Sequence, residues 1–135
     1  MKMRTLIVQS NDELGQVWAR HLERLGASVI NVTTGEAAIE VLQSERLDAI
    51  VLDLVLVEGS ALSVADYAGY SQPSANVVFV TDTTFFSDGS IFAHYPNARA
   101  YVETATPPQD LAAIVHHYGS NASRAREGHQ NQAAD

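Results

Sequence analysis

The residue with the clearest chemical potential is Asp53, a single carboxylate that closes an apolar run at residues 49–52. A short continuous apolar run of this kind predicts a buried strand. In open α/β sheets, ligands bind in the crevice at the carboxyl ends of the parallel strands. A carboxylate at the end of such a strand favours a role as phosphoryl acceptor or metal ligand.

The residues expected beside this carboxylate are neutral. The first predicted strand, at residues 5–8, runs into Gln9, Ser10 and Asn11 rather than into acids. Mg²⁺ prefers octahedral oxygen ligation that normally includes one or two carboxylates. Asp53 and the Val55 carbonyl are candidate ligands. A site that lacks a second carboxylate at close range has several kcal/mol less attraction for the ion than a site with two. The sequence therefore predicts weak Mg²⁺ binding at most, with Asp53 as a doubtful metal ligand.

Composition sets limits on the class of protein. The chain has 135 residues, which suits one domain, and it contains no cysteine, which excludes disulfides and thiolate metal sites. Its net charge of −8 disfavours nucleic-acid binding and allows steering of a basic partner. No apolar stretch approaches the length of a membrane span or a signal peptide, so we expect a cytoplasmic protein without membrane attachment.

Hydrophobic periodicity predicts five strands that alternate with five helices. The predicted strands are residues 5–8, 28–32, 48–53, 77–80 and 98–102, and the predicted helices follow Ser10, Thr33, Ser60, a loop before Ile91–Tyr95, and Thr106. This alternation predicts a three-layer α/β sandwich around a parallel sheet of order 2-1-3-4-5. The last helix is expected to end at Gly119. Residues 120–135 contain no aromatic residue and no aliphatic residue larger than alanine, which predicts a domain at 1–119 and a disordered polar tail at 120–135.

The pattern resembles the receiver domain of two-component response regulators over residues 4–119. The resemblance is carried by element order, by Leu-Asp-Ala-Ile-Val-Leu-Asp-Leu at 47–54, by Val-Val-Phe-Val-Thr at 77–81 and by Ala-Tyr-Val at 100–102. It implies the flavodoxin-like receiver fold. It also implies that Asp53 is the phosphoacceptor for a histidine kinase, that the Thr81 hydroxyl binds the phosphoryl group, and that Tyr101 is a switch aromatic.

The chain departs from that family where the site needs charge. Gln9 and Ser10 stand where the family has two Mg²⁺-binding acids, and Thr104 and Ala105 stand where it has a lysine and a proline. Glu103 adds a negative charge. Phosphoryl transfer depends on positioning and on neutralising negative charge, so the resemblance predicts lost or weakened phosphorylation. The complete predicted pocket consists of Gln9, Ser10, Asn11, Val55, Thr81 and Thr104 around Asp53.

Plainer interpretations stand beside each of these roles. Ser10 and Asn11 are typical helix caps, and Asp53 could be a relic that is kept near solvent and hydrogen-bonded to local amides. Thr81 could satisfy backbone at a strand end, and Tyr101 could be a fixed packing aromatic. Enzyme motifs are missing: residues 9–14 contain no glycine, and no Gly-x-Ser-x-Gly elbow occurs.

The leading hypothesis is a stand-alone, atypical receiver domain that acts by protein–protein interaction and is not an enzyme. Its partner would be a histidine kinase or a downstream effector, or a second copy in a homodimer. The resemblance places the partner surface on the fourth helix, fifth strand and fifth helix. The alternative hypothesis is a working phosphoacceptor that is phosphorylated on Asp53. A third is binding of an uncharged small ligand by Gln9, Ser10 and Thr104.

Overall fold

A parallel sheet of five strands lies at the centre of this computed structural model, which describes residues 2–82, 95 and 97–134, with 122–134 as backbone only. The strands are β1 (Arg4–Val8), β2 (Ser28–Val32), β3 (Ala49–Asp53), β4 (Asn76–Thr81) and β5 (Ala98–Glu103). The helices are α1 (Asp12–Arg24), α2 (Gly35–Ser44), α3 (Ala61–Ser71) and α4 (Pro108–Ala134). Among these described helices, none combines the length and the apolar character needed to cross a membrane.

The strand order is β2-β1-β3-β4-β5, and every pairing is parallel. The predicted fold class and strand order are therefore confirmed. In register, Val8 lies beside Leu52, and Asp53 lies beside Val80. Because parallel strands end at the same edge of the sheet, the residues that follow β1, β3, β4 and β5 meet at one edge. We call this the carboxyl edge and the opposite one the amino edge.

Helices cover both faces of the sheet, which explains why the central strands are apolar throughout. On one face, β3 and β4 side chains such as Leu52 and Phe79 pack with α2 and α3. On the other face, Val51 and Val78 pack with α1 and α4, around the fully buried Trp18. Each fully buried side chain of this size contributes roughly 1.5–3 kcal/mol of hydrophobic stabilisation, so these two layers hold the carboxyl edge in place.

Helix capping follows the predicted chemistry but not always the predicted residue. Asn11, not Ser10, caps α1, because its side chain accepts a hydrogen bond from the Leu14 N–H. Thr34, not Thr33, caps α2 in the same way. Ser60, where a helix is predicted to begin, caps α3. Either of two adjacent polar residues can cap a helix. Ser10 does not cap α1 because its hydroxyl accepts a hydrogen bond from the distant Val57 N–H.

The last helix differs from expectation at both ends. It begins at Pro108, one residue later than a helix that follows Thr106 directly. The Pro107 carbonyl accepts hydrogen bonds from the Asp110 and Leu111 N–H groups. The predicted end at Gly119 is wrong, since helical backbone continues to Ala134. Gly119 serves close packing instead: a Cβ there would lie 2.2 Å from the Met3 sulfur. The division into a domain at 1–119 and a disordered tail at 120–135 stays a prediction.

The helix predicted near Ile91–Tyr95 lies outside the described residues, except for Tyr95 itself. The Tyr95 ring packs edge-on against Phe79, with centroids 6.0 Å apart. Tyr95 therefore belongs to the same side of the sheet as α2 and α3.

Candidate functional site

Asp53 is the last residue of β3 and is buried, with 9% of its surface exposed. Both of its carboxylate oxygens accept hydrogen bonds from the chain. The Val55 N–H donates to Oδ1 over 2.9 Å, and the Gln9 amide donates from Nε2 to Oδ2 over 2.8 Å. The carboxylate is thus hydrogen-bonded to local donors, but it is buried and not kept near solvent.

The Gln9 side chain has a fixed orientation. Its Oε1 accepts a hydrogen bond from the Asn11 N–H over 3.0 Å, so the other end of the amide, the donor Nε2, must face Asp53. Its backbone N–H donates to the Val32 carbonyl, and the residue is 3% exposed. Gln9 therefore presents a donor, not an oxygen ligand, to Asp53.

Ser10 also reaches towards the loop that follows β3. Its hydroxyl oxygen accepts a hydrogen bond from the Val57 N–H over 2.8 Å. The backbone carbonyl of the next residue, Glu58, accepts a hydrogen bond from the Gly35 N–H at the start of α2. Since Gly59 has a φ of +94°, the loop turns there in a conformation that glycine adopts without strain.

Thr81 and Thr104 lie at the same edge of the sheet. Thr81 is fully buried at the end of β4, one residue after Val80, which pairs with Asp53. The Thr104 N–H donates to the Thr81 carbonyl over 3.0 Å. The structure thus places all of the predicted pocket residues, Gln9, Ser10, Asn11, Val55, Thr81 and Thr104, at the carboxyl edge on either side of Asp53.

Asp82 is a neighbour that the sequence reasoning missed. The pKa of Asp53 is raised from its ordinary value, chiefly because burial disfavours the charged form. The hydrogen bonds from Val55 and Gln9 oppose this rise, and the charge of Asp82 adds to it. The available signal was the position of Asp82 directly after Thr81, at the end of a strand beside β3.

Tyr101 lies on β5 opposite Phe79 of β4. The pKa of its hydroxyl is raised by partial burial first, and then by the carboxylates of Glu103 and Asp82. Tyr101 also borders a surface groove of about 430 Å³ between β5 and α4, whose other lining residues include Ala100, Ile114, His117 and Tyr118. The assignment of Tyr101 as a switch stays a prediction.

Charge is distributed unevenly between the two edges of the sheet. Four acids lie at the carboxyl edge outside the first turn of any helix: Asp53, Glu58, Asp82 and Glu103. The described Lys and Arg side chains belong to the amino edge or to the second half of α1, and they are Lys2, Arg4, Arg20, Arg24, Arg46 and Arg99. Within the described residues, no basic side chain offsets the charge of Asp53.

The residues around Asp53 do not fit a divalent cation. Hard cations need several oxygen ligands with spare lone pairs, whereas Gln9 directs its amide nitrogen at the carboxylate and Ser10 is engaged by Val57. Across the described part of the chain, no group of three or more His, Cys, Asp or Glu residues could hold a metal ion.

The sequence matches no protein-family model and no curated protein, but it matches solved structures closely in shape. One is a response regulator receiver domain protein from Methanospirillum hungatei JF-1, with a TM-score of 0.83 and 18% identity over 93% of this chain and 99% of the other. Another is an adenylate cyclase from Rhodopirellula baltica, with a TM-score of 0.86 and 13% identity over 100% of both chains.

A third similar structure is a response regulator protein from Burkholderia pseudomallei with a phosphorylated aspartic acid, a calcium ion and citrate. It has a TM-score of 0.76 and 22% identity over 96% of this chain and 75% of the other. At these identities the likeness concerns backbone architecture. Together with the strand order and the position of Asp53, it shows that this chain has the fold of response regulator receiver domains.

Proposed function

We propose that this chain is an atypical receiver domain of two-component signal transduction, in which phosphorylation of Asp53 is lost or weakened. It would act in the cytoplasm by binding a signalling protein, and it would not be an enzyme. The receiver fold and the predicted Asp53 position support the general assignment. The finer assignment rests on one observation, the hydrogen bond from the Gln9 amide to Oδ2 of Asp53.

The contact with Gln9 bears directly on phosphorylation. Attack by a carboxylate on a phosphoryl donor requires an electron-rich oxygen, from which hydrogen-bond donors withdraw charge, and positive charge to neutralise the transferred group. Oδ2 is bonded by Gln9 and Oδ1 by Val55, while Asp82 adds negative charge nearby. Thr104 stands in place of a cationic side chain. Both requirements of the reaction are therefore poorly met.

The groove between β5 and α4 supports the proposed partner surface. Ala100 and Ile114 give it an apolar floor, while His117 and Tyr118 supply rings that pack edge to face at 5.1 Å. Aromatic side chains with a polar tip are favoured at protein interfaces. We propose that a kinase, an effector or a second copy of the chain docks here.

A phosphodonor assay tests the proposal. The protein would be incubated with acetyl phosphate, with and without millimolar Mg²⁺, and intact mass would report any phosphorylated fraction. Asp53→Asn serves as the control for site specificity. We expect no Asp53-dependent phosphoprotein. A stoichiometric, acid-stable adduct that disappears in Asp53→Asn would contradict the proposal.

That contrary result would support the alternative function, a working phosphoacceptor. The observation that favours it is the position of Asp53 at the end of β3, next to the strand that ends in Thr81. The Burkholderia pseudomallei protein, which has this fold, carries a phosphorylated aspartic acid. Under this alternative, a histidine kinase or a phosphotransferase would supply the phosphoryl group.

A further inference from the structure

Two consecutive side chains join the loop after β1 to the loop after β3. Gln9 donates to Oδ2 of Asp53 over 2.8 Å, and the Ser10 hydroxyl accepts from the Val57 N–H over 2.8 Å. These contacts link positions that are far apart in sequence. We refer to this pair of hydrogen bonds as the Gln9–Ser10 clasp.

The start of α1 fixes the orientation of the Gln9 side chain in the clasp. Asn11 caps that helix with its side chain and donates its backbone N–H to Oε1 of Gln9. A backbone N–H can only donate, so the amide cannot turn over to offer its oxygen to Asp53 without losing that bond. The orientation of Gln9 is therefore part of the local fold and not a free rotamer choice.

We propose that the Gln9–Ser10 clasp takes the place of a bridging divalent cation, and that it keeps the loop after β3 in one arrangement whether or not Mg²⁺ is present. A bridging cation would join the same two loops through oxygen ligands. Here a neutral donor binds the carboxylate, and a hydroxyl binds the backbone of the adjoining loop. The inference rests on the proposed function in treating Asp53 as the centre of the site.

Competition by a cation would be unfavourable for a specific reason. An ion that takes the lone pair of Oδ2 to which Gln9 donates must displace Nε2 of that residue, which is 3% exposed and would lose its acceptor. A buried donor without an acceptor is costly. The ion would gain no acid from the loop after β1, because Gln9 and Ser10 are neutral.

Amide hydrogen exchange tests the clasp without any phosphodonor. In the intact chain, the protection of the Val55 and Val57 amides should be the same in EDTA and in millimolar Mg²⁺. Ser10→Ala should speed exchange at Val57 by about tenfold, because its acceptor is removed. Ser60→Ala is the matched control: it removes a hydroxyl that accepts from Ser63 at the start of α3, and it should leave Val57 unchanged.

Three outcomes of that experiment would count against the inference. The first is a large rise in Val55 and Val57 protection when Mg²⁺ is added to the intact chain. The second is an unchanged rate at Val57 in Ser10→Ala. Equal acceleration in Ser60→Ala would also count against the clasp, since it would show that any lost hydroxyl at this edge loosens the loop.

A substitution at Gln9 tests the exclusion of the cation. Gln9→Glu keeps an oxygen for the Asn11 N–H and turns a second carboxylate towards Asp53 and Asp82. Calorimetric titration should show Mg²⁺ affinity raised by about tenfold or more over the intact chain. Gln9→Met removes the amide without adding charge and should not show this gain. Tight Mg²⁺ binding by the intact chain, or no gain in a folded Gln9→Glu protein, would refute the proposal.

The outcomes separate this inference from the proposed function. Phosphorylation of Asp53 together with Mg²⁺-independent amide exchange would refute the proposed loss of phosphorylation, but it would be consistent with the clasp. Absence of phosphorylation together with Mg²⁺-dependent exchange would do the reverse.

Discussion

The amide nitrogen of Gln9 lies 2.8 Å from Oδ2 of Asp53, while the oxygen of the same amide accepts from the Asn11 N–H. Gln9, at a position where the resemblance implies a metal-binding acid, thus acts as a hydrogen-bond donor to the candidate acceptor. Neutral hydrogen-bond donors therefore organise the site around Asp53.

Replacing Asp53 by asparagine should change the free energy of unfolding at neutral pH by less than ~1 kcal/mol, or raise it slightly. Asparagine loses one of the two hydrogen bonds to Gln9 and Val55, worth about 1 kcal/mol, but it removes a buried charge. Urea denaturation measures the difference, with the exposed Asp66→Asn as a control for charge alone. A loss above ~2 kcal/mol would show that the carboxylate is a net stabilising group.

The effect of Asp53→Asn should depend on pH in a defined direction. Burial raises the pKa of Asp53 in the folded protein above its ordinary value of 3.8. The stabilising contribution of protonated Asp53 is therefore fully present below the ordinary pKa and is lost as pH rises through the folded pKa. Any advantage of asparagine at pH 7 should shrink as pH falls through that window. An advantage that grows on acidification would contradict the burial argument.

Asp82→Asn should lower the pKa of Asp53, because it removes a nearby negative charge that favours the protonated form. Carbon-detected NMR titration of the Asp53 carboxyl group would measure the change. Glu58→Gln, in the loop after β3, is the matched control, since Glu58 is not among the causes of the Asp53 shift. A rise in the Asp53 pKa in Asp82→Asn would contradict the structure.

Gly59→Ala should destabilise the fold more than Gly26→Ala. Both glycines have a φ of +94°, but a Cβ at Gly59 would lie 3.0 Å from Gly35 backbone atoms, whereas at Gly26 nothing lies within 4 Å. Gly26→Ala should cost about 1–2 kcal/mol for its backbone conformation alone. Gly59→Ala adds a steric contact with backbone and should cost more. Equal losses in thermal and chemical denaturation would show that the loop moves aside freely.

Removing residues 122–135 should leave the free energy of unfolding unchanged within ~0.5 kcal/mol. The removed segment contains no large apolar residue, and a helix that is polar all round gains little from packing. The truncated chain keeps Tyr118, whose carbonyl accepts from the Asn76 side chain, and Gly119, which packs on Met3. A loss above ~2 kcal/mol would place the tail inside the folded domain.

The fold could be predicted from sequence because its signals are local and repeated. Apolar runs such as residues 49–52, separated by helical periodicity, leave few topologies once right-handed crossovers are required. The helix starts were less certain. Ser10 and Asn11 are equally suited to cap a helix, and only the Val57 N–H, distant in sequence, decides that Ser10 points elsewhere.

The candidate site was predicted in its membership but not in its contacts. The sequence places Gln9 beside Asp53, yet it cannot tell which end of the amide faces the carboxylate, because that depends on the Asn11 N–H. Asp82 belongs to no sequence motif, and its proximity to Asp53 follows only from the pairing of β3 with β4. A glycine at position 119 predicts a helix end, whereas in the structure its missing side chain makes room for Met3.

The Lys and Arg side chains of the described part of the molecule lie away from the carboxyl edge, whereas acids lie at both edges, and this uneven distribution gives that part a permanent electric dipole along the strand direction. An approaching polycation exerts a torque on the protein before contact, and this torque turns the Asp53 end of the protein towards the polycation. Encounter with such a body would slow as ionic strength rises, because screening shortens the reach of the field to about 10 Å at 0.1 M salt.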